Sequence, residues 1–172
     1  MNAPNFSVRL ATIDDAIAIG TVQTLTWKTT YKAIVHQSFL DNLEAAPRIT
    51  SAEKRVQNPA LTDFVLVENE TQKVVGFVCV GPNREKNVDA DGEMYAIYIL
   101  DEYHGRGGGK LLYQAAVNEI LKMNFKKMMV SVFEDNISSR KFYEALGGQY
   151  IGSDHVDIEG HRYKTSTYLW SL

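Results

Sequence analysis

Apolar and polar positions along the chain follow two rhythms, one of period two and one near the helical period. Alternating or short β-branched and aromatic runs, bounded by turn residues, predict strands at 6–11, 63–68, 74–81, 93–100, 127–133, 149–158 and 163–170. Apolar residues at helical spacing predict helices at 16–27, 47–56, from about 107 to 123 and at 137–146, with a short helical turn at 38–43. Thr12, Asp14 and Asp15 supply cap residues and acid ahead of the first helix, Asn58-Pro59 stops the helix ending at 56, and Gly147-Gly148 ends the last one. Gly20, in mid-helix, marks a close approach by a neighbour. Turn residues at 69–73 and at Glu159-Gly160 make two hairpins, and residues 82–92 form a charged loop. If the helix between them is a crossover, the strands at 93–100 and 127–133 run parallel. The expected fold is α/β: a single domain over residues 1–172, with a mixed central sheet of about seven strands flanked by about four helices.

One stretch stands out, Asp91 to Leu112. A strand rich in aromatic and β-branched residues feeds a loop, His104-Gly105-Arg106-Gly107-Gly108-Gly109-Lys110, which opens a helix. Glycines admit a close backbone approach, and a helix start offers unpaired N–H groups and partial positive charge. Arg106 and Lys110 add full charges, so the loop reads as a seat for a pyrophosphate. The phosphate loop of nucleotide hydrolases is excluded, because His104 falls where glycine is needed and Leu111 where a hydroxyl is needed. The dinucleotide fingerprint fails as well, since its third glycine would be Lys110 or Leu112.

Composition narrows the partners. The net charge of −3 gives no general affinity for nucleic acid or for an anionic membrane, so a local basic loop points to an anionic cofactor. A single cysteine excludes an internal disulfide framework, and Cys79 lies in an apolar run that reads as a buried strand thiol. The Asn87-x-Asp89-x-Asp91-Gly92 run resembles the start of a calcium loop, but Tyr98 stands where the closing Glu is required. His155 and His161 lack other ligands near them, so no metal is expected. No apolar run is long enough to span a bilayer, the first ten residues lack the apolar core of a signal peptide, and a cytoplasmic location is expected.

The glycine loop resembles the acetyl-CoA loop of the GNAT acetyltransferase superfamily, Gln/Arg-x-x-Gly-x-Gly/Ala, with His104 in the first slot. A second signature of that superfamily, Asn-x-x-Ala-x-x-Phe-Tyr-x-x-x-Gly-Phe, resembles Asn136-x-x-Ser139-x-x-Phe142-Tyr143-Glu144-Ala145-Leu146-Gly147, with Ser139 for Ala and Gly148 for the final Phe. Both motifs stand in order, each after a strand, and the element order matches the GNAT order over nearly the whole chain. The resemblance implies splayed parallel strands at 93–100 and 127–133, with acetyl-CoA held by the backbones of Ile97 and Ile99, by the loop residues His104, Gly105, Arg106, Gly107, Gly108, Gly109 and Lys110, and by Asn136 and Tyr143. On position alone, Asn136 suits a helix cap equally well.

The implied reaction is acetyl transfer from acetyl-CoA to a primary amine, by direct attack through a tetrahedral intermediate. Tyr143 matches the superfamily's general acid for the leaving thiolate, although a tyrosine there also serves as a packed aromatic. Glu93, which by alternation shares a face with Tyr95, Ile97 and Ile99, is the candidate base, unless it is a strand-end charge. Trp27 and Tyr31, with Glu93, are the candidate acceptor residues, or they fill a helix face; a small amine or polyamine is favoured, since aromatics and acids suit a cation. The alternatives are a protein N-terminus or lysine as acceptor, or an acyl-CoA sensor without turnover. A homodimer is possible.

Overall fold

The computed structural model describes residues 5–172, so the reading of the chain's first ten residues falls partly outside it. One seven-stranded sheet runs β1-β2-β3-β4-β5-β7-β6. Its strands are β1 (Phe6–Leu10), β2 (Thr62–Glu68), β3 (Val74–Pro82), β4 (Gly92–Ile99), β5 (Lys127–Phe133), β6 (Gln149–Ile158) and β7 (His161–Ser171). The helices are α1 (Ala16–Thr30), α2 (Gln37–Asp41), α3 (Ala45–Val56), α4 (Gly108–Lys122) and α5 (Ile137–Ala145), one more than expected because the short turn at α2 closes as a helix. Helix α3 begins ahead of Pro47, which sits in its first turn, where a missing N–H costs no intrahelical bond.

The core forms where α1 and α4 lie on the strands, and it includes Ile19, Leu66, Phe77, Leu112 and Ile120, all fully buried. Helix α4 packs on β2, β3 and β4, α1 packs on β3 and β4, and α3 lies against α1 and β2. Every neighbouring strand pair is antiparallel except β4–β5. That parallel pair meets only at Gly92↔Met128 and Glu93↔Met129. Beyond it, β4 stays paired with β3 to Gly76↔Ile99, and β5 stays paired with β7 to Phe133↔Thr165. The two inner strands therefore splay, as the resemblance implied.

A bulge in β4 positions everything downstream. Cys79 pairs with Ala96 while Val80 pairs with Met94, so Tyr95 is the extra residue. The expected alternation from Glu93 to Ile97 is broken at that point. Past the bulge, the Leu100 N–H donates to the Val75 carbonyl at 2.9 Å. By alternation, Tyr98 also addresses β3 with its backbone, and Ile97 and Ile99 turn theirs toward the gap before β5.

Candidate functional site

Two cavities of about 440 Å³ each meet at the splay. One is a groove along the glycine loop, bounded by Gly105, Gly107, Gly109, Lys110 and Phe142. The other is a chamber on the far side, walled by Trp27, Tyr31, Tyr98, Phe133 and Arg84. Ile97, Ile99, His104, Ser139 and Tyr143 line both, so these five residues form the junction.

The groove is built as an anion seat. Gly105 and Gly107 have φ of 72° and 88°, conformations that a side chain strains, and nothing lies within 4 Å of where a Cβ would stand. Gly107 is the cap residue of α4. Among the described residues, the backbone N–H groups from Gly105 to Lys110 have no hydrogen-bond partner. The open glycines leave a ligand's phosphates free to reach those amides, with the helix start behind them. The residues present thus fit a pyrophosphate. Lys110 lines the groove. Arg106 does not; it lies 5.4 Å from the Tyr103 ring centroid. His104 donates Nε2–H to the Ile99 carbonyl at 2.7 Å, which fixes its ring at the end of β4 and occupies one of the backbone acceptors turned toward the gap.

Asn136 takes the cap role and keeps a donor to spare. Its Oδ1 accepts the Ser139 N–H at 3.2 Å and caps α5, while its Nδ2 has no partner among the described residues and Asn136 lines the chamber. Tyr143 is buried at the junction, and its hydroxyl has no hydrogen-bond partner among the described residues. Burial holds that phenol's pKa well above the ordinary tyrosine value, so it stays protonated at any physiological pH. Gly148, where the superfamily pattern has Phe, leaves no room for a larger residue: a Cβ would stand 2.7 Å from Trp170 Cζ2 and 2.9 Å from the Tyr143 carbonyl. Trp170 fills that space and packs edge-on to Tyr143 at 5.9 Å.

Trp27 and Tyr31 are brought to the chamber. Trp27 Nε1 donates to the Tyr98 hydroxyl at 3.1 Å, and the Tyr31 and Tyr98 hydroxyls are 3.3 Å apart. Phe133 packs edge-on to Trp27 and Tyr31, closing an aromatic wall. The loop after α1 is fastened across the chamber: His36 stacks on His161 at 4.5 Å, and its N–H donates to the Tyr163 hydroxyl at 2.9 Å. Cys79 is fully buried, and burial pushes its thiol pKa up, as for an inert strand residue.

Glu93 is not brought to the chamber. It is 3% exposed and absent from the lining. Its Oε2 accepts the Arg84 backbone N–H at 3.0 Å and Nε–H at 3.1 Å, and its Oε1 accepts from Nη2 at 2.6 Å. The bulge at Tyr95 is the physical reason, because it separates the face of Glu93 from that of Ile97. Arg84 instead reaches the lining. No residue pattern signals this: Arg84 lies in a charged loop, and only the β3–β4 hairpin sets it against Glu93. Tyr98 was missed as well, since alternation singled out Ile97 and Ile99.

The model of the Acetyltransferase (GNAT) family matches residues 25–148. An uncharacterized N-acetyltransferase, YuaI, of Bacillus subtilis (strain 168) is 31% identical over 164 residues, which cover 95% of this chain and 92% of that relative. The spermine/spermidine N(1)-acetyltransferase of the same organism is 28% identical over 93 residues, 52% of this chain and 60% of that protein. Among solved structures, yncA from Salmonella typhimurium with its cofactor acetyl-CoA shares the fold at a TM-score of 0.74 and 19% identity, covering 98% of this chain and 94% of that one.

Proposed function

Because the chain belongs to the GNAT acetyltransferase family, we propose that it moves the acetyl group of acetyl-CoA onto the primary amine of a small molecule. The observation that carries this reading is the junction: a groove of free amides and an aromatic-walled chamber share Ile97, Ile99, His104, Ser139 and Tyr143. A pyrophosphate on the amides from Gly105 to Lys110 would lie at one end, and an amine in the chamber at the other. Bound acetyl-CoA supplies the activated thioester.

The chain's own residues do the rest. The Ile97 and Ile99 backbones, turned toward the gap, pair with the amides of an extended arm as a missing strand would. The free Nδ2 of Asn136 offers one more donor. The Ile97 N–H, fixed by the strand, stabilises negative charge where it develops on the acetyl oxygen. Tyr143 gives its proton to the departing sulfur as the carbon–sulfur bond breaks, and the proton shed by the newly bonded nitrogen, passed on through water, restores the phenol. The lining contains no carboxylate to take the proton of the amine. We therefore assign to Glu93 the holding of Arg84, and the neutral fraction of the amine is the reactive form. A chamber of about 440 Å³ walled by Trp27, Tyr31 and Phe133 suits a small acceptor.

The test is a thermal titration with acetyl-CoA, against ATP. At a hundredfold excess over Kd a ligand that binds only the folded state stabilises it by about 2.7 kcal/mol. A shift with acetyl-CoA and none with ATP supports the groove assignment. No shift at millimolar acetyl-CoA removes it, and the enzymatic reading with it.

A further inference from the structure

Resting on that reading, we propose that Arg84 is the specificity determinant of the chamber, and that the acceptor is an amine which also carries an oxyanion, a carboxylate or a phosphate. Its guanidinium is held on two sides. Glu93 takes the Nε and Nη2 edge together with the backbone N–H. The Tyr95 ring lies under it at 3.9 Å, and that ring is itself fixed by its hydroxyl to the Pro82 carbonyl at 2.5 Å. The side chain is nevertheless 59% exposed, and Nη1 has no partner among the described residues. An exposed arginine is ordinarily free to move. This one is oriented, with one edge used and the other left open at the lining of the chamber.

Stability alone does not call for such an arrangement. Glu93 is only 4% exposed, and a buried carboxylate is a poor source of stability compared with an apolar residue of the same size. What the pair provides is a preorganised cationic fork, the geometry that suits carboxylate and phosphate oxygens. The rest of the lining agrees. It holds no Asp or Glu, so a polyamine would bring several ammonium groups to a chamber whose fixed charge is positive. Asp157 does not correct this, since it is exposed and paired with Arg162 at 3.3 Å. Arg84 lines the chamber but not the groove. An acceptor with its oxyanion on Nη1 therefore has its other end free to reach the junction. The aromatic wall of Trp27, Tyr31 and Phe133 suits an apolar body between the two ends.

The experiment measures thiol release from acetyl-CoA with matched acceptors: L-leucine and L-phenylalanine, their carboxamides, O-phosphoethanolamine, ethanolamine and spermidine. With each kcat/KM expressed per unprotonated amine, the expected result is a preference of at least about tenfold for the charged member of each pair, carried by KM. Either the carboxylate or the phosphate pair identifies the oxyanion. In Arg84→Gln the preference collapses toward unity; because that change strands the buried Glu93, Arg84→Gln with Glu93→Gln is measured beside it. Glu93→Gln alone, which loosens the fork but keeps the cation, raises KM for the oxyanion acceptors more than it lowers kcat. Preference for the carboxamides or spermidine, or equal losses for both members of a pair in the double variant, overturns the assignment of Arg84 and leaves acetyl transfer standing. Release of thiol with none of the acceptors overturns both.

Discussion

Tyr143→Phe separates chemistry from folding better than any other change in this protein. The hydroxyl has no hydrogen-bond partner among the described residues, so its loss strands nothing. The ring keeps its edge-on contact with Trp170 at 5.9 Å and its tilted one with Tyr168 at 6.0 Å. Stability should therefore change by less than about 1 kcal/mol, or about 2–4 °C in Tm. Turnover should change far more. A positioned general acid contributes roughly 10²–10⁴. The lower end applies here, because an ordinary phenol at about 10 already lies above a thiol at about 8.5, and burial raises Tyr143 further. The gap costs at least about 2 kcal/mol in the proton transfer, so we expect kcat to fall about 10²-fold, near 2.7 kcal/mol of barrier. The assay is thiol release at saturating acetyl-CoA and acceptor, with acetyl-CoA affinity followed by thermal shift. Unchanged affinity with a large loss of kcat is the expected pattern. A kcat within about threefold of the parent would refute the assignment, and Tyr143 would then be an aromatic that packs the junction.

Other outcomes follow from the same geometry. With no carboxylate in the lining, kcat/KM should rise about tenfold per pH unit up to the pKa of the amine itself; a plateau setting in between about pH 5 and 7 would return Glu93 to the role of base. Gly107→Ala places a side chain at φ 88° with open space around it, so it should cost about 1–2 kcal/mol through the backbone alone. It should also weaken acetyl-CoA binding by moving the α4 amides, and isothermal titration giving the parent Kd would show that those amides do not hold the ligand. Arg9, bonded to Asp15 at 2.8 Å and 2.9 Å, and next the Thr12 N–H hold the Asp15 carboxyl below its usual range. A lowered folded-state pKa means stability that is present above the unfolded value near 4 and fades as pH falls through the folded one. The destabilisation in Asp15→Asn should therefore shrink below about pH 4 in denaturant titrations, and a constant difference down to pH 2 would contradict the ion pair's role.

Much of the fold is legible in residue types. The β4 strand, the glycine loop and α4 are each over-determined by local chemistry, so their order and approximate bounds follow from composition and spacing alone. Gly20 marks a close approach, and Ile49 is its cause: a Cβ would stand 2.5 Å from the Ile49 backbone nitrogen. What escapes such reading is set by pairing across strands. A bulge has no residue signature of its own, so the extra residue at Tyr95 leaves no trace in the alternation, and the face assigned to Glu93 fails with it. The contact between Arg84 and Glu93 depends on that same hairpin. Likewise, alternation does not place Tyr98 against Trp27 and Tyr31, because a side chain shared between helix and strand belongs to neither period.

The short seam between β4 and β5 has a mechanical meaning. The strands β1 to β4 form one antiparallel block from residues 6–99, and β5 to β7 form another from residues 127–171, each contiguous in the chain. Two residue pairs suture them, and α4 is the strap that carries the chain from one to the other. The line along which the sheet is weakest is thus also the line along which the proposed ligand would lie. A molecule bridging that line works as a splint, so occupancy should be felt as stiffness between the halves as well as affinity at a site.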